Sequence, residues 1–196
     1  MTSLLLVATA MLLPSQEPVS PHPKEKWYPL LEGCEFKEDR DKLIAAAPLA
    51  LNDFEEIIND PKSSSMHFSG LYSVITDAKV DRKRFLKPAL RDLNHADATV
   101  RRVAAAFVGN VGGGPEFTAP LLMLTLHDSD ADVTNAARRA LGQVGDASTV
   151  VALEHLIRFD SGKPNKLDRA KAFGDTRDEI KARLAAAAKA APAPPK

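Results

Sequence analysis

The side chains best suited to chemistry in this chain do not come together in its sequence. His67, His95, His127 and His155 each lack a nearby second His or Cys, and Cys34 is the only cysteine. Zinc sites draw their ligands in pairs at short spacing, so no metal is expected. A lone cysteine cannot close an intramolecular disulfide, and no histidine stands where it would activate Cys34 as a nucleophile. There is no Gly-x-Ser-x-Gly elbow. Gly112-Gly113-Gly114 has the composition of a phosphate-cradling loop but lacks the Lys-Ser/Thr that must follow it, and it reads as a turn. No catalytic residue, cofactor or metal ligand is therefore assigned, and the chain is expected not to be an enzyme.

Cationic surface is what remains: the run Lys79, Arg82, Lys83, Arg84, Lys87, Arg91 and the pairs Arg101-Arg102 and Arg138-Arg139. These charges are part of a banded distribution with a net charge of zero. Residues 32–60 and 92–157 are acidic on balance, whereas 61–91 and 158–196 are basic. Nucleic-acid binding driven by phosphate neutralisation needs net positive charge, so DNA or RNA is not the expected partner and an acidic protein surface is.

The elements that would carry these residues are helical. Aromatic residues make up only 6% of the 196 residues while alanine is abundant, which suits helices packed through small side chains. Asp97 to Gly112 aligns without a gap on Asp130 to Gly145, an offset of 33 residues, with seven of sixteen positions identical. The apolar stripe Val100, Val103, Ala104, Phe107, Val108, Val111 recurs as Val133, Ala136, Ala137, Ala140, Leu141, Val144. Subtracting the period reaches a weaker copy at His67, Gly70, Leu71, Val74, Ile75 and Ala78. A spacing of 3, 1, 3, 1, 3 holds one face of a 3.6-residue helix against a core. Asp97 and Asp130 are placed as N-caps, and the glycines from Gly109 to Gly114 and at Gly142 and Gly145 as C-caps or points of close approach. Between these helices, Asp81–Asn94 and Pro115–His127 are partner helices, and Pro88 and Pro120 imply a recurring bend or late start.

A self-similarity of this length predicts an all-α fold: a short α-solenoid of antiparallel helix pairs with a period of about 33. Asp97-x-x-Val100-Arg101-x-x-Ala104 with Gly109-x-x-Gly112, and Asp130-x-x-Val133 with Ala137-x-x-Ala140-Leu141-Gly142-x-x-Gly145-Asp146, resemble HEAT repeats, closest to the HEAT-like repeats of phycobilisome lyases. The resemblance covers about residues 60 to 157 and departs from the pattern at Thr134, where the preceding repeat has Arg101. It implies that Arg101 pairs with acids of neighbouring turns. It also implies that the second helix of each pair lines a concave face, so that Arg101, Arg102, Ala105, Asn135, Arg138 and Arg139 would contact a partner. The metalloenzyme among HEAT folds, deoxyhypusine hydroxylase, carries repeated His-Glu dipeptides. This chain has only the reversed Glu154-His155. HEAT-like DNA glycosylases read DNA through a basic concave face, which Asp128, Asp130 and Asp132 interrupt here. The expected function is a non-catalytic protein-interaction or scaffold module, the alternative an accessory subunit of an enzyme or chromophore lyase complex. The expected state is a monomer.

Outside the repeats, Leu4–Leu13 is an uncharged apolar run too short to span a bilayer, and residues 1–14 read as a signal peptide. Export to the periplasm or cell exterior is the expectation, a cytoplasmic location the alternative. Leu31-Glu32-Gly33-Cys34 has Leu and Gly at the offsets of a lipobox, but its Glu and charged surroundings argue against a membrane anchor. Residues 15–36 read as an extended Pro-rich linker and N-terminal cap, with Trp27 and Tyr28 docking on the first helices. Residues 37–191 are the predicted solenoid, opened by two helical stretches separated by Pro48, which either kinks one helix or opens the second. At its end Phe159–Gly174 reads as a polar insertion before an Asp175–Ala191 capping helix, and 192–196 as a disordered tail.

Overall fold

The computed structural model describes residues 23–163 and 166–190. The expected signal peptide and the tail at 192–196 lie outside them. The described residues hold no β-strand. Their helices are α1 (Tyr28–Glu32), α2 (Lys37–Asn59), α3 (Ser65–Asp77), α4 (Leu86–Asp92), α5 (Ala98–Val111), α6 (Thr118–His127), α7 (Ala131–Val144), α8 (Ala147–Ser161) and α9 (Leu167–Ala190). None of these is long and apolar enough to cross a membrane.

The Pro-rich segment is not extended where it is described. Pro23–Lys26 is a 3-10 turn and Pro29 sits in the first turn of α1. A proline there is preset to a helical φ, and its missing N–H has no intrahelical acceptor to lose. Trp27 packs edge-on against Phe54 at 5.6 Å between centroids and donates from Nε1 to Asp53 at 2.8 Å. Tyr28 stacks on His67 at 4.3 Å. This contact explains why the first copy of the stripe looks degenerate. His67 is buried, accepting from the Ser64 N–H through Nδ1 while its own N–H is capped by Ser64 Oγ. A Cβ added at Gly70 would lie 2.8 Å from the Leu31 carbonyl oxygen. His67 and Gly70 are thus the footprint of α1 on α3.

Pro48 does not divide α2 into two helices. Ala47, Ala50, Phe54, Ile57 and Ile58 are buried on one side and carry the helix through the missing hydrogen bond. Pro88 and Pro120 mark late starts. A 3-10 turn at Arg82–Phe85 leads into α4 and another at Pro115–Phe117 into α6, and each proline is the third residue of its helix. There the absent N–H would have been unpaired anyway.

Asp97 accepts from the Thr99 N–H, and Asp130 from those of Asp132 and Val133. The glycines have separate reasons. Gly112 ends α5 at φ 78°, and its N–H and that of Gly113 both return to the Val108 carbonyl. Gly145 ends α7 at φ −59°, and a Cβ there would lie 2.6 Å from the Leu141 carbonyl oxygen and 2.7 Å from Ile180. At Gly109 an added Cβ would lie 3.0 Å from Ala140 Cα, so α5 and α7 touch through backbone.

Helices α3, α5, α7 and α9 form a row in which each touches the next. Helices α2, α4, α6 and α8 each lie against the one that follows. One core runs from Leu31 to Leu141, and Leu122 joins it to a second cluster of Val150, Leu153, Phe173 and Ile180 between α8 and α9. The expected polar insertion is shorter than predicted, because α9 starts at Leu167 rather than Asp175. Ala170, Phe173, Thr176 and Ile180 bury one face of it, and Arg169 forks onto the fully buried Asp160 at 2.7 and 2.9 Å. Gly174 stays helical because it costs only about 1 kcal/mol relative to Ala.

A candidate docking face on the helix row

The residues expected to contact a partner separate into two groups. Arg101 is turned inward. Its Nε and Nη2 donate to both carboxylate oxygens of Asp128 at 2.7 and 2.9 Å, and its Nη1 donates to the carbonyls of His95 and Ala96 at 2.9 and 2.8 Å. The pair ties the turn before α5 to the turn before α7, and the guanidinium holds the Asp128 carboxyl below the usual carboxylate range. With the Arg101 side chain 16% exposed and Asp128 4%, Arg101 is a structural clamp rather than a docking residue. Ala105 is also withdrawn, since it is fully buried. It sits one turn before Gly109, where an added Cβ would meet Ala140 of α7. Arg138 stands 33 positions later on α7 and is half-buried. Arg102, Asn135 and Arg139 are exposed, and among the described residues none of the three makes a side-chain hydrogen bond or ion pair.

Within the basic run at 79–91, Arg84 and Arg91 hold helices together, whereas Lys79, Lys83 and Lys87 are exposed and make no side-chain bond among the described residues. Arg84 bonds to Glu55 and, at 3.1 Å, to Asn52. Arg91 bonds to Asn59 and the Ile58 carbonyl of α2 and to Asp92. Asp92 in turn accepts from the Tyr72 hydroxyl at 2.7 Å, and burial, with the Asp92 charge beside it, keeps that phenol protonated.

The exposed faces of α3, α5 and α7 carry residues in the same 33-residue register. Ser69, Arg102 and Asn135 are one such row; Ser73, Ala106 and Arg139 are the next; Asp77, Asn110 and Gln143 are the third. Arg40, from α2, pairs with Asp77 at the edge of this surface. A trough is cut into it along α3. One hollow of about 350 Å³ lies over Tyr72 and Phe107 between Arg40 and Arg102. A second, of about 390 Å³, lies over Leu31, Cys34 and Gly70. They share Arg40, Ser69 and Ser73 in their walls and so lie side by side along α3. A wider hollow of about 590 Å³ beside the C-terminal end of α2 is more open, and its Lys24 and Asp60 are bonded to each other at 2.7 Å. Sequence reasoning missed Arg40, Ser69, Ser73 and Asn110. Carrying the period from Arg102 back to Ser69 would have found the α3 members, whereas nothing local marks Arg40.

Compared with known proteins, the chain matches no family model, no curated protein and no solved structure.

Proposed function

We propose that this chain is a short α-solenoid of HEAT-like repeats and acts as a non-catalytic protein-interaction module, its partner resting on the exposed faces of α3, α5 and α7. The observation that carries the reading is the register of those faces. Arg102, Asn110, Asn135, Arg139 and Gln143 recur on adjacent helices at the repeat spacing, exposed and without a side-chain partner among the described residues. Stacking by Gly109 against Ala140 and by Tyr72 against Phe107, at 4.8 Å between rings, gives a rigid base for such a surface. Guanidinium and amide groups left free on a rigid base favour an acidic, hydrogen-bonding partner. Export belongs to the same proposal and rests on the apolar run Leu4–Leu13.

The test places a photo-crosslinking amino acid at Ala106, in the middle of the face, and at Leu49, which is 96% exposed on α2. In the cells that make the protein, Ala106 is expected to yield a discrete adduct that Arg102→Glu with Arg139→Glu abolishes, and Leu49 to yield none. No Ala106 adduct, or one indifferent to charge reversal, overturns the proposal.

A further inference from the structure

We propose that the trough along α3 binds an extended peptide segment of a partner protein, five or six residues long, with a basic side chain at one end and a carboxylate towards the other. The inference rests on the docking reading above and specifies its ligand.

Length comes first. The trough follows α3 from Ser65 and Met66 to Thr76 and Asp77. Twelve steps of helix rise amount to about 18 Å, which an extended chain covers in roughly five to six residues. The hydrogen-bonding period also fits. Ser69 and Ser73 are four residues apart on the open side of α3, about 6 Å along its axis. An extended chain repeats its outward backbone groups every two residues, about 6.7 Å. Both hydroxyls are partly exposed and bond to no other side chain among the described residues, so they can meet successive peptide groups on one edge of the ligand.

Charge then sets the ends. Over the N-terminal half of α3 the wall includes Glu32 and Glu35, with Glu35 exposed and free of any ion pair among the described residues. The hollow over Tyr72 and Phe107 is lined by Arg40 and Arg102, and Arg40 also lines the hollow beside it. Asp77 already neutralises Arg40, so Arg102 is the cation left to receive a carboxylate. Between them the floor of Leu31, Cys34 and Gly70, with Met66 at the rim, takes a small apolar side chain.

The experiment measures fluorescence anisotropy of labelled hexapeptides on the full chain: Lys-Ala-Val-Ala-Glu-Ala, its reverse sequence, the same pair with Gln for both charges, and Lys-Ala-Val-Ala-Lys-Ala. At least one mixed-charge peptide is expected to bind tenfold or more tightly than its Gln counterpart. Arg102→Glu should weaken it by tenfold or more with helicity unchanged, while the double-Lys peptide gains affinity for that variant. Equal binding of charged and Gln peptides, no saturable binding, or no response to Arg102→Glu overturns the proposal. So does a self-associating chain that Arg102→Glu renders monomeric, since the occupant would then be a second copy. If the peptides fail while the Ala106 adduct forms, the docking face stands and this ligand does not. If the adduct is also absent, the broader reading falls.

Discussion

Arg101→Met separates two adjacent arginines that look alike in sequence. The substitution keeps much of the apolar stem but removes four hydrogen bonds: two to Asp128 and one each to the His95 and Ala96 carbonyls. Asp128 retains a nearly buried carboxylate with its counter-charge gone. Removing one partner of a buried ion pair costs about 3 to 5 kcal/mol. The partial exposure of Arg101 lets water replace some of what is lost, so about 3 kcal/mol is expected. In urea, with a slope of about 2 kcal/mol/M, the unfolding midpoint read by circular dichroism should fall by about 1.5 M. Arg102→Met, one residue on and exposed, should shift it by less than about 0.5 kcal/mol in stability. Adding Asp128→Asn to Arg101→Met should recover part of the loss, because the orphaned charge is the costly element. Equal shifts for the two arginines, or a double variant as unstable as the sum of the singles, would refute the clamp.

Two further expectations concern backbone and pH. Gly112→Ala should destabilise by about 1 to 2 kcal/mol through the left-handed φ alone, because open space surrounds its Cβ position. Gly174→Ala, equally unobstructed but inside α9, should instead stabilise by up to about 1 kcal/mol; thermal melts distinguish the signs. Acid should unfold the chain through its paired carboxylates. The hydrogen bond from Lys24 holds Asp60 at a pKa of about 2, those from Ser148 and Thr149 hold Asp146 at about 2, and Arg101 and Arg169 lower Asp128 and Asp160. Each folded-state value lies below the unfolded one, so the stability is present above about pH 4 and is lost as pH falls towards 2. Urea midpoints that stay constant from pH 5 to pH 2.5 would contradict this.

Much of the helical framework was legible because burial stripes, N-caps and cap glycines are local patterns. The stripes of α5 and α7 face the core at the positions the period assigns, with only Val103, Val111 and Val144 partly exposed, and Asp97 and Asp130 cap where they should. Misreadings came where a local signal was overridden. Phe159–Gly174 reads in sequence as a polar insertion, yet Phe173 and the Asp160–Arg169 pair draw the chain into helix from Leu167. Proline density suggested extension before α1, yet two of those prolines sit in helical turns where a missing N–H costs nothing. The docking face was half legible. Period and polarity marked Arg102, Asn135 and Arg139; for Arg101, the next residue on the helix, the resemblance implied both a partner contact and a pairing with acids of neighbouring turns, and the structure shows the pairing, to Asp128.

The 33-residue register, the helical class and the caps are written in the order of residues, since each depends on neighbours within a turn or two. The resemblance pointed Arg101 to a neighbouring acid, and packing made that acid Asp128, twenty-seven positions away. Packing also decided that Ala105 is sealed close to where α7 meets Gly109, and that Arg40 of α2 and Arg102 of α5 line one hollow. A single helix specifies which side faces the core. Which exposed side chains keep an unspent hydrogen bond depends on the turns that stacking brings beside them.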